Sequence, residues 1–71
     1  MKKEELEAFL SRKGYKKDRW GHYHKGDIRY KMQKNSVRVE RKMGKDWIKM
    51  RSAYYKDLRI SENDKVKGKW R

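Results

Sequence analysis

His22 and His24 are the only histidines in this chain of 71 residues, and they stand two positions apart. On an extended strand both rings leave the backbone on the same side. Three kinds of chemistry suit that arrangement. Two imidazoles could ligate a metal, but only Asp18 or Asp27 lies near enough in sequence to supply a third ligand, and the absence of cysteine excludes thiolate sites. The pair could move protons in RNA cleavage, with neighbouring lysines stabilising a pentavalent phosphate. Alternatively, the rings could stack on or donate to a nucleic acid without reacting. The third role is the expectation taken forward: no metal, no cofactor and no catalytic residue.

The surroundings of the histidines favour that role. Lysine and arginine number 23 against 10 acidic residues, for a formal charge of +13. Repulsion at this density opposes compaction, and a polyanion partner relieves it. The longest apolar run is Ala8-Phe9-Leu10, so nothing in the sequence spans a bilayer, and no apolar leader segment is visible. No phosphate-cradling glycine loop, nucleophile elbow, zinc finger, helix-turn-helix or complete aromatic RNA-binding signature appears. The expectation is a cytoplasmic protein with no membrane partner, monomeric or weakly homodimeric. An absence of cysteine is compatible with a reducing compartment.

Positioning such side chains requires a fold, and 71 residues hold one domain, spanning 1–71. A chain of this length buries only about 60% of its unfolded surface. A charged fraction of 46% would permit disorder, but 13% aromatic residues in patterned segments argue for a thin core. Leu6, Phe9 and Leu10 follow the i, i+3, i+4 spacing of an apolar helical stripe, with acids first and Arg12 and Lys13 last. Gly14 is the expected C′ residue, so a helix is predicted over about 2–13. Beyond it the period becomes two. Ile28, Tyr30 and Met32, then Val37 and Val39, then Ile48 and Met50, alternate with polar residues. Turn residues separate these runs at 25–27, 34–36 and 43–46. An earlier strand near 19–24 pairs with the Ile28 strand. The tail reads as a continued strand at 52–55 and a last hairpin about Glu62-Asn63-Asp64, with a short helix after Ser52 as the competitor. The predicted fold is α+β, one N-terminal helix on one face of a four- or five-stranded antiparallel β-meander. Its core is expected to join the helical stripe to Ile28, Tyr30, Val37, Val39, Ile48 and Met50.

Hairpin register then sorts the charges. Turns of two or four residues keep alternation in phase from strand to strand. The open face would carry Trp20, His22, His24, Arg29, Lys31, Arg38, Lys42, Trp47, Lys49 and Arg51, with Glu40 among them. A three-residue bulged loop at any turn would invert every strand beyond it. Cations interleaved with flat rings are what single-stranded RNA or DNA binding requires, the cations on phosphate and the rings on bases. The loops and tail, with Lys16, Lys17, Arg19, Lys65, Lys67, Lys69 and Arg71, form the rival basic surface.

Leu6–Gly14, Tyr15 and then Gly21-His22, followed by alternating strands, resemble the HicA-type mRNA interferase toxins over roughly the first 40 residues. That family has a helix ending in Gly and an aromatic residue, then a strand bearing Gly-Ser-His, on a double-stranded-RNA-binding-like fold. This chain lacks the Ser, places Trp20 before Gly21 and shows no clear closing helix. The resemblance implies a ribonuclease with His22 or His24 catalytic, the first alternative to non-catalytic nucleic-acid binding. An interaction module for an acidic protein partner is the second.

Overall fold

The acids Glu4 and Glu5 open the helix α1 (Lys3–Arg12), and Arg12 closes it, an order that complements the helix dipole in a computed structural model describing all of residues 1–71. The Glu5 carboxylate accepts a hydrogen bond from the Lys2 N–H at 3.0 Å, satisfying one donor at the helix start. Gly14 takes φ +89°, which lets the chain reverse so that the Tyr15 N–H reaches the Leu10 carbonyl at 3.0 Å.

Five strands follow in a meander: β1 (Lys16–Lys17), β2 (Tyr23–Lys25), β3 (Ile28–Met32), β4 (Ser36–Met43) and β5 (Asp46–Tyr54). They lie side by side in chain order, each antiparallel to the next. A 3₁₀ turn at Tyr55–Asp57 leads to a separate hairpin of β6 (Leu58–Ile60) and β7 (Val66–Gly68). The fold is thus α+β with a five-stranded antiparallel sheet. The predicted tail hairpin is present, and the competing helix after Ser52 is reduced to the 3₁₀ turn. Gly68 has a steric reason: a Cβ there would stand 2.0 Å from the Asp57 carbonyl oxygen. No helix is long and apolar enough to cross a membrane.

One strand prediction is corrected. Residues 19–22 form a turn rather than the start of β2. Asp18 causes it. Its Oδ1 accepts hydrogen bonds from the N–H groups of Trp20 and His22, both at 2.9 Å, which is the local competition with a ladder that aspartate offers.

The core joins Leu6, Phe9 and Leu10 of α1 to Tyr23, Tyr30, Met32, Val37, Val39 and Ala53 on one sheet face, with Tyr55 and Leu58 closing one end. Ile28 packs at its margin. Ile48 and Met50, expected inside, are 50% and 54% exposed. Met50 is unpaired, between the partners of Val39 and Glu40, and Ile48 lies toward the tip of the hairpin, beyond the buried cluster. Ten helical residues span about 15 Å, whereas the nine residues of β5 span about 30 Å, so the far end of the β4–β5 hairpin extends past the helix.

Candidate nucleic-acid interface

Register decides what the uncovered face displays. Tyr23 pairs with Tyr30, Met32 with Val37 and Met43 with Asp46, so each of the three central turns preserves alternation. One row of paired residues runs across all five strands: Lys16, His24, Arg29, Glu40 and Lys49. Beside it lie a row of Lys31, Arg38 and Ser52 and a pair of Lys42 and Trp47. His24, Arg29, Lys31, Arg38, Lys42, Trp47 and Lys49 therefore share the open face, as their spacing predicts.

Arg51 does not. Glu40 pairs with Lys49 but Val39 pairs with Arg51, leaving Met50 as the extra residue of a β-bulge. A bulge changes the phase of the strand beyond it. Arg51 accordingly joins the face of Val39 and lies over Trp70, its guanidinium carbon 4.1 Å from the ring centroid. Ser52 and Tyr54 take the open-face positions instead. The inversion that a bulged turn would have produced occurs inside a strand.

Glu40 organises the centre of the face. It is 3% exposed, and Arg29 donates to its Oε1 from Nε at 2.8 Å and also from a terminal nitrogen. The Arg38 Nε lies 3.0 Å from Oε2, close enough for charge attraction, although its N–H is not aimed at that oxygen. Arg29 also covers the Trp47 ring at 4.4 Å, and His24 meets the same ring at a steep angle, centroids 5.6 Å apart. Trp47 is thus half-buried between the Arg29 guanidinium and the His24 ring. Trp20, in the Asp18 turn, is the freer ring, 67% exposed with Arg19 stacked on it at 4.3 Å.

Each histidine has a structural partner. The His24 Nε2 lies 2.6 Å from Asp18 Oδ2. Burial works to raise the Asp18 pKa, but the His22 N–H, the His24 ring and the Trp20 N–H outweigh it and hold the carboxyl below its ordinary range. The His22 Nδ1 accepts the Met32 N–H at 3.0 Å, taking the place of a strand partner where β2 has ended. Asp18, His22 and His24 do not converge as a three-ligand metal set. Burial holds the His22 pKa below its usual value. Asp18 opposes that shift, and the charges of Arg29, Lys31 and His24 reinforce it.

A pH dependence follows. The unfolded chain takes up a proton at His22 near about pH 6.5, where the folded protein resists it. Stability from this group is complete above that pH and is lost as pH falls toward the depressed folded value. The melting temperature should be lower at pH 5.5 than at pH 7.5. His22→Asn, which keeps an acceptor near the Met32 N–H, should reduce that difference. An unchanged difference would show that His22 is not its source.

Sequence spacing missed four residues at this face. Lys16 arrives there through the two-residue strand β1, too short to show a period. Ser52 and Tyr54 depend on the bulge. Arg71 exchanges backbone hydrogen bonds with Ser52 along the outer edge of β5, at 2.8 and 3.0 Å, and its guanidinium sits 5.0 Å from the Tyr54 ring. Nothing in the local sequence signals that last pairing. The second helix implied by the toxin resemblance is absent, its place in the chain being taken by the end of β5 and the β6–β7 hairpin. In comparisons with protein-family models, with characterised proteins and with solved structures, the chain matches none.

Proposed function

We propose that the protein binds nucleic acid without catalysis, contacting the phosphate backbone from the open sheet face. The observation that carries this reading is the distribution of charge. The side-chain carboxylates at this face, Glu40 and Asp18, are both engaged in internal pairs, whereas Lys16, Lys31, Lys42 and Lys49 have no carboxylate within ion-pair distance. Glu4, Glu5 and Glu7 lie on α1, in the other layer. The sheet face is thus cationic with its own side-chain carboxylates already neutralised, which suits a polyanion. Single-stranded RNA or DNA fits best, since the exposed Trp20 ring beside the cations can stack on a base. The ribonuclease reading has less support, because one nitrogen of each histidine is already occupied by a structural partner.

A salt titration tests the proposal. Contact with about 4–6 phosphates gives a slope near −3 to −5 in log affinity against log salt. Trp20→Ala should weaken a single-stranded oligonucleotide by about 1–3 kcal/mol while leaving the melting temperature in place. A slope close to zero would refute backbone binding. Cleavage of labelled RNA, lost in His22→Ala or His24→Ala, would establish the nuclease instead.

A further inference from the structure

The bulge at Met50 has a local consequence on the open face. It replaces the long cation of regular alternation with Ser52, a small hydroxyl residue. Lys49 precedes it on the same face, Arg38 pairs opposite it, and Arg71 lies alongside on the strand edge. Small among long side chains, Ser52 forms part of a recess. Arg38, Lys49, Ser52, Tyr54 and Arg71 border one cleft there. Lys49 has no carboxylate partner, and the Arg71 guanidinium rests only on an aromatic ring. The Arg38 Nε is buried against Glu40, 3.0 Å from its Oε2, so the terminal guanidinium nitrogens of this 42% exposed side chain are the ones that can reach a ligand. Three cations and the Ser52 hydroxyl thus border one cleft, with Gln33 and Ser36 as its other polar lining.

We propose that this cleft seats a single phosphoryl group of a bound nucleic-acid strand, fixing the register of the strand on the sheet. The inference rests on the nucleic-acid reading of the face and gives it a defined anchor. Guanidinium and ammonium groups supply charge-assisted donors, guanidinium in a planar fork suited to phosphate oxygens. The Ser52 hydroxyl adds a neutral donor. Elsewhere on the face, cations are spread along strands and would track a backbone loosely.

The test uses the intact chain and two probes. Inorganic phosphate titrated into isotope-labelled protein should move the amide resonances of Lys49, Ser52 and Arg71 saturably, with smaller shifts near Lys16 and Lys42. A single-stranded oligonucleotide, with and without a 5′-phosphate, should lose about tenfold or more in affinity to Ser52→Glu, as expected for loss of a charge-assisted contact. The charge-matched control Asn63→Glu, in the β6–β7 turn, should lose less than about threefold, the modest effect of a distant charge screened by salt. Preference for the 5′-phosphorylated strand would identify the seated group as a terminal phosphate, and equal affinity as an internal one. Equal affinity of Ser52→Glu and Asn63→Glu, with no clustered phosphate shifts, would overturn the seat while leaving nucleic-acid binding intact. Clustered phosphate shifts in a protein that binds no oligonucleotide would preserve the anion seat and refute the nucleic-acid reading.

Discussion

Phe9→Ala should bring the protein close to unfolding at ordinary temperatures. Phe9 lies between the fully buried Leu6 and Leu10 and is itself buried, with the Arg12 and Lys13 cations within 6 Å of its ring centre. Truncating a core phenylalanine costs about 3–5 kcal/mol, as transfer and cavity effects add. A chain of this length has about 4–10 kcal/mol of stability in total. Its apolar core is a single cluster of eleven residues, so no second core can compensate. Each kcal/mol shifts the midpoint of a domain this size by about 4–8 °C. A fall of more than about 12 °C in a circular-dichroism melt is the expected result. A shift of only a degree or two would mean that α1 does not pack through this residue.

Much of this arrangement is legible in the sequence, for identifiable reasons. The Leu6, Phe9, Leu10 stripe and Gly14 define a helix because spacing, charge order and C-terminal glycine all agree. The meander is legible because its three central turns preserve alternation, so one polar residue assigned to the open face assigns its partners on four strands. Legibility fails where geometry is not local. Trp47 to Arg51 alternates without a break, and no glycine marks the bulge, so Arg51 reads as a neighbour of Lys49 although it lies on the other face. Ile48 and Met50 have core chemistry, but Ile48 lies out along the hairpin beyond the buried cluster and Met50 is the extra residue of the bulge. Tyr55 and Leu58 enter the core from irregular segments, where no period exists to be read. The interface inherits the same limits. Its middle is predictable from alternation, whereas Ser52, Tyr54 and Arg71 come to it through a bulge and a terminal edge pairing.

Glu40→Ala should destabilise the free protein, though less than the core truncation, and a polyanion should restore part of the loss. Glu40 is the sole acidic residue in the strand rows of the open face, and its side chain is almost wholly enclosed by the face's own cations. Without it Arg29 and Arg38 remain close together with no counter-ion, and Arg29 is the better buried of the two. Removing one partner of a fully buried ion pair costs about 3–5 kcal/mol. The arginines left here are 20% and 42% exposed, so water screens them and a loss of about 1–3 kcal/mol is expected. Glu40→Gln retains shape and an acceptor while losing charge, so it should fall between the alanine variant and the parent. A bound strand can bring phosphate oxygens to the same guanidinium groups. Ligand at about 100 times its Kd stabilises a folded protein by about 2.7 kcal/mol. Glu40→Ala should gain more than the parent at equal oligonucleotide concentration, because its affinity rises when an internal competitor for Arg29 and Arg38 is removed. The measurement is a pair of thermal melts for each protein, with and without a single-stranded oligonucleotide at low salt. If Glu40→Ala melts low and the oligonucleotide raises it no more than it raises the parent, the two arginines do not meet the strand. The binding surface would then be sought among the basic residues of the tail hairpin.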